Sequence, residues 1–151
     1  MAAKKDIRQL SLTDLQLFFE EIKQPMFRAK QVYQWLWQKS SLHFDDMTNL
    51  SLPVRSILQQ HFDIPTLSIH DRQDSKDGTV KLRFELCDSN KVEGVLIPVP
   101  EEKRMTACIS SQVGCSLSCA FCATGFLKRE RNLFAHEIYD QVVQILSLIH
   151  I

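Results

Sequence analysis

The hydrophobic pattern of this chain changes its period near Pro65, and this change divides the sequence into two regions. Before Pro65, apolar residues recur at helical spacing, which is typical of amphipathic helices. After Pro65, apolar and polar residues alternate from Val80 to Leu86, which is typical of a half-buried strand. We therefore expect an α+β fold, with a helical bundle over residues 1–65 and a small antiparallel meander over residues 66–102.

Three helices are predicted in the first region. The first starts after Ser11, because Ser11 and Asp14 have the spacing of a capping box. The second begins near Pro25 or Met26, and the third has Pro53 in its first turn. The apolar residues expected to face the core of this bundle are Leu12, Leu15, Phe18, Phe19, Ile22, Phe27, Val32, Trp35, Leu36, Val54, Ile57, Leu58 and Phe62.

Turn-forming residues separate the strands that are predicted in the second region. Asp77-Gly78 precedes the alternating strand, and Asp88-Ser89-Asn90 follows it and leads to a second apolar strand near Val95–Val99. A further strand, Met105–Ser110, precedes a cysteine-rich segment and then a helix. The apolar face of that helix contains Ile138, Val142 and Ile145. The end of the chain therefore reads as one strand-loop-helix unit.

Three cysteines, Cys115, Cys119 and Cys122, occur in the run Cys-Ser-Leu-Ser-Cys-Ala-Phe-Cys. Three thiolates at this spacing suit a [4Fe-4S] cluster whose fourth iron stays open to bind S-adenosylmethionine, whereas closed electron-transfer clusters usually have four cysteines. Two alternatives remain from the spacing alone. One is a zinc site with a fourth ligand such as Cys108 or His136, and the other is a set of redox or core thiols without metal.

Composition restricts the function less than the cysteines do. The 151 residues are 44% hydrophobic and 24% charged, which is ordinary for a globular protein, and the formal net charge is zero. Any nucleic-acid contact must therefore come from local clusters of basic residues. The odd number of cysteines, with no secretory signal and no membrane-spanning apolar run in the sequence, predicts a reducing cytoplasm and no membrane.

The neighbourhood of the cysteines resembles a known family. Residues 106–122 read TACISSQVGCSLSCAFC and are followed by Ala123-Thr124-Gly125 and by the segment Lys128 to Leu133. This pattern resembles the radical S-adenosylmethionine adenine-C2 RNA methyltransferases of the RlmN type. Further family landmarks occur upstream in the expected order, so the resemblance runs from about Leu10 to about Ile145. These landmarks are PMFRAKQVYQW from Pro25, FDDMT from Phe44, Asp77-Gly78-Thr79 and VEGVLIP from Val92.

The resemblance implies how the end of the chain folds. Residues 103–145 are expected to be the start of the radical S-adenosylmethionine core, as the first βα unit of a truncated partial (βα) barrel with the cysteines at the C-terminal end of its strand. Residues 146–151 equal the translation of a transposon end that is used to tag sequencing libraries. We expect them to be a non-native tail, the alternative being a natural apolar helix end.

The resemblance also implies the reaction and its residues. The family methylates C2 of adenine in 23S ribosomal RNA and in tRNA through a methyl-cysteine intermediate; a related branch methylates C8 instead. It uses a [4Fe-4S] cluster and S-adenosyl-L-methionine. By matching motif positions, Cys115, Cys119 and Cys122 are the metal ligands, Phe121 contacts the cofactor, Glu93 handles a proton at the adenine, and Cys108 forms a transient disulfide during product release.

This chain alone is expected to be inactive, because the family's methyl-carrying cysteine and its Gly-Glu-Pro cofactor segment have no counterpart in the sequence. The implied partners are large-subunit ribosomal RNA, tRNA and an electron donor such as a flavodoxin-type reductant, and a monomer is implied. The basic and aromatic residues predicted to contact RNA are Lys103, Arg104, Lys128, Arg129 and Arg131 near the cysteines, and Arg28, Lys30, Tyr33, Trp35, Trp37 and Lys39 in the helical region. Cys87 is expected to be a buried thiol at a strand end.

Overall fold

A computed structural model describes residues 4–117, 119–120 and 123–149, and the chain forms two compact units, residues 1–65 and 66–151. In the first unit, β1 (Lys5–Asp6) pairs in parallel with β2 (Phe62–Asp63). Three helices lie between these strands in the sequence. They are α1 (Leu12–Glu21), α2 (Phe27–Trp37) and α3 (Leu52–His61).

The start of α1 confirms the predicted capping box. The Asp14 amide donates to Ser11 Oγ at 3.1 Å, and the Ser11 amide donates to Asp14 Oδ2 at 2.9 Å. Each residue thus satisfies a backbone donor that the helix itself cannot pair. Pro53 lies in the first turn of α3, also as predicted.

The core of the first unit is apolar and follows the predicted helical stripes, with one exception. Phe27 is 59% exposed, so the prediction that it is buried is wrong; it is the first residue of α2, and its ring contacts the Arg28 guanidinium at 5.1 Å instead of the core. Trp35 is half-buried and donates its indole N–H to Asn49 Oδ1 at 2.6 Å. The buried core residues are Ile7, Leu15, Phe19, Ala29, Val32, Leu36, Phe44, Met47, Leu50, Val54, Leu58 and Phe62.

The second unit is built on a four-stranded antiparallel sheet with its strands in chain order. They are β3 (Ser68–Asp74), β4 (Val80–Glu85), β5 (Lys91–Val99) and β6 (Arg104–Cys108). The alternation predicted for β4 is confirmed, since Leu82 and Phe84 are buried and their neighbours are half-buried. The sequence did not predict β3, because this edge strand is exposed along its whole length and carries no apolar alternation.

Both predicted turns are present in this sheet. Gly78 has φ +84° between β3 and β4, and its amide donates to the Ser75 carbonyl at 3.0 Å. Between β4 and β5, Ser89 has φ +64° and the Leu86 amide donates to the Asn90 carbonyl at 2.8 Å. β5 starts at Lys91 rather than at the predicted Val95, so Glu93 lies inside a strand.

The strand that the sequence assigned to a barrel unit, β6, is the edge strand of this sheet and pairs antiparallel with β5. After it come the short paired strands β7 (Gln112–Val113) and β8 (Arg131–Asn132) and then α4 (Ala135–Ser147). Ile145 of α4 is buried in the same apolar core as the sheet. The observed architecture is α+β, and the barrel unit remains a prediction.

Cys87 is exposed, so the prediction that it is buried is wrong. The preceding residue, Leu86, is the last buried position of the alternation, and the next side chain therefore points outward. Its thiol donates to the Thr66 carbonyl at 3.7 Å. Among the described residues, no helix is both long enough and apolar enough to span a bilayer.

Candidate functional site

The segment between β6 and α4, residues 109–134, carries the predicted cluster ligands and is called the cysteine loop below. A short antiparallel ladder closes its base, with Gln112 opposite Asn132 and Val113 opposite Arg131. Beyond the ladder, the Glu130 amide donates to the Val113 carbonyl at 3.0 Å and the Cys115 amide donates to the Leu127 carbonyl at 3.2 Å. Cys115 is therefore held by backbone pairing directly beyond the ladder.

Two glycines allow the strands of the loop to approach closely beside the cysteines. Gly114 has φ +70°, and a Cβ at this position would lie 2.2 Å from the Lys128 carbonyl oxygen. A Cβ on Gly125 would lie 2.6 Å from the Cys119 carbonyl oxygen. Any larger residue would displace backbone atoms, so these two glycines fix the path of the loop around Cys115 and Cys119.

The two described cysteines of the motif are partly accessible and lie beside backbone donors and basic side chains of the loop. Cys115 and Cys119 are half-buried, and the Leu117 amide donates to Cys115 Sγ at 3.4 Å. Cys115 also lines an open depression of about 400 Å³ together with Lys128 and Arg129. An amide hydrogen bond of this kind suits the sulfur of a metal-bound cysteine.

Cysteine sulfurs at these positions fit a centre that is held by soft ligands, such as an iron–sulfur cluster or zinc. Two of the three predicted metal ligands, Cys115 and Cys119, come from the described loop, while Cys122 and the cofactor residue Phe121 lie outside the described residues. Within the described part of the chain, no group of three or more His, Cys, Asp or Glu side chains could hold a metal ion. His136, the alternative zinc ligand, is buried with its ring stacked on Phe134 at 5.6 Å.

The two predicted catalytic residues lie on one face of the sheet. Cys108 on β6 pairs with Val95 on β5, and Glu93 lies two residues before Val95, so both side chains project to the same side. Residues in this diagonal relation are separated by roughly 7–8 Å. The Glu93 carboxylate is exposed and forms an ion pair with Lys81 at 2.8 Å. Arg83 is its direct cross-strand partner.

A cavity of about 380 Å³ connects this sheet face with the cysteine loop. Leu127 lines both this cavity and the depression at Cys115, so the two spaces adjoin. The cavity next to the predicted cluster loop is therefore lined by two basic side chains and one carboxylate. The sheet contributes Arg83, Lys91 and Glu93 to the lining, and the loop contributes Gly114, Thr124 and Leu127.

Comparisons with known proteins place the chain in a family. A family model described as the ribosomal RNA large subunit methyltransferase N-terminal domain (RlmN_N) matches residues 5–64. A protein of Cytophaga hutchinsonii named "Probable dual-specificity RNA methyltransferase RlmN" is 54% identical over 142 residues, which cover 94% of this chain and 38% of the relative. The chain belongs to the RlmN family.

Other relatives agree with this assignment. A Geotalea uraniireducens protein named "Dual-specificity RNA methyltransferase RlmN" is 44% identical over 142 residues, covering 94% of this chain and 41% of the relative. A solved structure of a radical SAM methyltransferase from Sphaerobacter thermophilus is 32% identical with a TM-score of 0.77, covering 97% of this chain and 42% of that chain. The chain thus spans about two fifths of the length of these RlmN relatives.

One basic residue of this RlmN sequence forms several hydrogen bonds inside the second unit. Arg131, expected to contact RNA, donates to Asp88 at 2.6 Å and to both oxygens of Glu137 at 2.8 Å. Hydrogen bonds with Glu137 raise its pKa despite partial burial. Its guanidinium thus connects three elements of the second unit, the β4–β5 turn, β8 and α4. Lys128 and Arg129 remain exposed at the depression.

The pairing with Arg131 lowers the pKa of the two carboxylates that it contacts, Asp88 and Glu137. Burial alone would raise the pKa of Glu137, but hydrogen bonds from Arg131 and from the Phe134 amide hold it below its ordinary value. Burial would also raise the pKa of Asp88, but hydrogen bonds from Arg131 and from the Asn90 amide lower it below its ordinary value. Both side chains are therefore ionised at neutral pH and pair with a permanent cation.

Sequence reasoning missed the buried polar side of α4. Glu137 and Gln141 are buried and lie four residues apart, on the helix whose apolar stripe had been identified. The available signal was the helical spacing of two polar residues, Glu137 and Gln141, beside that apolar stripe. The described residues contain no disulfide, and Cys108 is exposed.

Proposed function

We propose that the chain is the amino-terminal part of a radical S-adenosylmethionine enzyme that methylates C2 of an adenine in 23S ribosomal RNA and in tRNA through a methyl-cysteine intermediate. The observation that carries this proposal is the shared sheet face of Glu93 and Cys108, with a cavity that extends from Glu93 to the cysteine loop. The RlmN relatives, which are dual-specificity RNA methyltransferases by name, support the substrate class.

In this proposal each residue has a defined task. Cys115, Cys119 and Cys122 hold a [4Fe-4S] cluster as thiolates, in the first βα unit of a partial barrel, and Phe121 packs beside S-adenosylmethionine. When bound, the cluster and this cofactor supply the radical that activates a methyl group. Glu93, oriented by Lys81 at 2.8 Å, accepts a proton at the target adenine, and Cys108 assists product release.

The helical unit is proposed to dock RNA with the exposed side of α2. Lys30 and Tyr33 lie on this side with the exposed ring of Phe27. Basic side chains suit phosphates, and exposed aromatic rings suit unpaired bases. Lys39 is placed 3.7 Å from the Trp35 ring, so it covers that indole. A flavodoxin-type reductant, a cytoplasmic location and a monomeric state complete the proposal.

Metal analysis of anaerobically purified chain tests the cluster. We expect a brown protein with iron and sulfide, and Cys115→Ser, Cys119→Ser and Cys122→Ser should each lower the bound iron strongly. Cys87→Ser is the matched control, because Cys87 is outside the motif and exposed. Colourless protein with stoichiometric zinc would instead establish a zinc-binding module and would contradict the radical mechanism.

RNA docking needs a separate measurement, because it does not depend on the cluster. Lys30→Glu should weaken the binding of the chain to a large-subunit ribosomal RNA fragment and should reduce the salt dependence of that affinity. Arg28→Glu is a less specific variant, since the Arg28 guanidinium also donates to the Asn49 carbonyl at 2.9 Å. Lys5→Glu, on the short strand β1, serves as the control. Equal affinities of the Lys30→Glu and Lys5→Glu chains would remove α2 from the interface.

A further inference from the structure

One side chain of α4 satisfies the backbone where the cysteine loop begins. The β6 ladder ends at Cys108, and two residues later the Ser110 amide donates to Gln141 Oε1 at 2.9 Å. Gln141 Nε2 in turn donates to the Ser110 carbonyl at 3.0 Å and to the Glu137 carbonyl at 3.1 Å. A fully buried amide therefore replaces the missing strand partner at the entry of the loop.

A second side chain of α4 holds the end of the same loop. Glu137 accepts two hydrogen bonds from Arg131, each at 2.8 Å, and one from the Phe134 amide at 2.8 Å. The bidentate contact fixes the guanidinium plane relative to the helix. Arg131 also pairs with Asp88 in the turn between β4 and β5. The exit of the loop is thereby tied to α4 and to the sheet.

Glu137 and Gln141 are four residues apart and so lie on one face of α4, one turn from each other. We propose that this pair positions the cysteine loop from both ends, so that Cys115 and Cys119 are already placed before a metal binds. The inference rests on the proposed function, because it gives the loop a metal-binding task. Glu137, Gln141 and Arg131 are positioning residues that act through the loop backbone.

The apolar contacts of the loop cannot do this alone. Within its described residues, Val113 and Leu133 are the apolar side chains that are buried, while Leu117, Phe126 and Leu127 are 58–77% exposed. Apolar burial is non-directional, whereas a side-chain amide that pairs with both the N–H and the C=O of one residue fixes distance and orientation. A thiolate ligand set requires that kind of placement.

Hydrogen–deuterium exchange of the full 151-residue chain, prepared without metal, tests the inference. The reporter amides are Cys115, Leu127, Glu130 and Leu133, all hydrogen-bonded within the loop or at its ends. Gln141→Leu should accelerate their exchange about tenfold, which corresponds to the loss of one or two hydrogen bonds. Gln144→Leu is the matched control, the same substitution at a half-buried position of the same helix. Amides of β4 and β5 report whether the whole unit is destabilised.

Arg131→Lys provides a second variant that keeps the charge but loses the bidentate contact. It should accelerate exchange at Glu130 and Leu133 more than Arg72→Lys does, in which the lost contact is the exposed pairing of Arg72 with Asp74 on β3. If Gln141→Leu unfolds the sheet, the proposal is tested with Arg131→Lys alone. Equal loop exchange in the variants and their controls would overturn the positioning role, and so would acceleration in Arg131→Lys that the β4 and β5 amides share equally.

Bound iron is measured on the same variants, so the two proposals fail separately. A wild-type chain that takes up no iron refutes the cluster while the exchange result still stands. Normal iron uptake together with unchanged loop exchange in Gln141→Leu refutes the positioning role and leaves the cluster intact. We expect lower iron per chain in Gln141→Leu and in Arg131→Lys, and wild-type iron in Gln144→Leu and Arg72→Lys.

Discussion

The helical unit and the cysteine loop are held together by different forces. In the helical unit, three helices bury one apolar core, and polar contacts lie mainly at the helix ends and in the connecting segments. In the cysteine loop, backbone pairing, two close glycine contacts and the side chains of Gln141, Glu137 and Arg131 determine the path of the chain. Apolar packing gives stability and tolerates small shifts, whereas directional hydrogen bonds place individual atoms.

The largest expected effect is in the helical unit. Phe19 is fully buried, and Phe19→Ala should lower the free energy of unfolding of this unit by about 3–5 kcal/mol through lost burial and a cavity. Leu17→Ala is the control on the same helix, because Leu17 is 57% exposed and its loss should change the stability by less than about 0.5 kcal/mol. Urea unfolding followed by helical circular dichroism measures both. Similar losses in the two variants would contradict an apolar core at this position.

The corresponding weak point of the cysteine loop is a backbone contact. Gly114→Ala should destabilise the β7–β8 pairing by about 3 kcal/mol, because Ala must adopt a positive φ and its Cβ meets the Lys128 carbonyl. Gly78→Ala is the matched control: it also has a positive φ, but its Cβ would lie 3.4 Å from Pro98, an ordinary contact. Its cost should be about 1 kcal/mol. Exchange rates of the Cys115 and Leu127 amides would distinguish the two.

The same difference explains what the sequence predicted. The helices of the first unit and the strand β4 follow from local apolar periodicity, and the start of α1 follows from Ser11 and Asp14. The exposed edge strand β3 has no such pattern, and Phe27 has helical spacing but lies in the first turn of α2, away from the core. Periodicity reports which face is buried, and it carries no information about an exposed strand or a helix end.

The candidate site was predictable to a smaller extent. Motif resemblance assigned roles to Glu93 and Cys108, but only the register of β5 and β6 puts them on one face. The contacts from Gln141 to Ser110 and from Arg131 to Asp88 join residues that are 31 and 43 positions apart. Contacts of this sequence separation depend on the tertiary fold, so single-residue patterns cannot supply them.

An intermediate effect is expected for Arg131, and it should depend on pH. Arg131→Met should lower the stability of the loop by about 2 kcal/mol at neutral pH, the usual loss for hydrogen bonds to charged groups. The folded-state pKa values of Asp88 and Glu137 are lowered, so their contribution is complete above the ordinary carboxyl pKa of about 4. This contribution to stability is lost as the pH falls through the lowered pKa values of the folded state.

The measurement compares wild type and Arg131→Met by exchange of the α4 amides at several pH values, so that intrinsic exchange rates cancel. The difference between the two chains should shrink below about pH 4. Arg129→Met, whose side chain donates to Asn132 Oδ1 at 2.8 Å, should show no comparable change with pH. A wild-type advantage that is constant down to pH 2 would show that the ion pairs do not contribute.

The smallest effect tests whether directional contacts also matter in the apolar unit. Ser11→Ala removes the hydroxyl that accepts from the Asp14 amide at 3.1 Å, and it should cost about 1 kcal/mol. Thr13→Ala, at an exposed position of the same helical turn, should cost much less. Because the α1 core contacts remain, the loss should appear as fraying of the first turn, visible as faster exchange of the first α1 amides. If Ser11→Ala instead destabilised the whole unit as strongly as Phe19→Ala, the cap would position the entire helix. Directional hydrogen bonds would then matter as much in the helical unit as in the cysteine loop, and the contrast between the two regions would no longer hold.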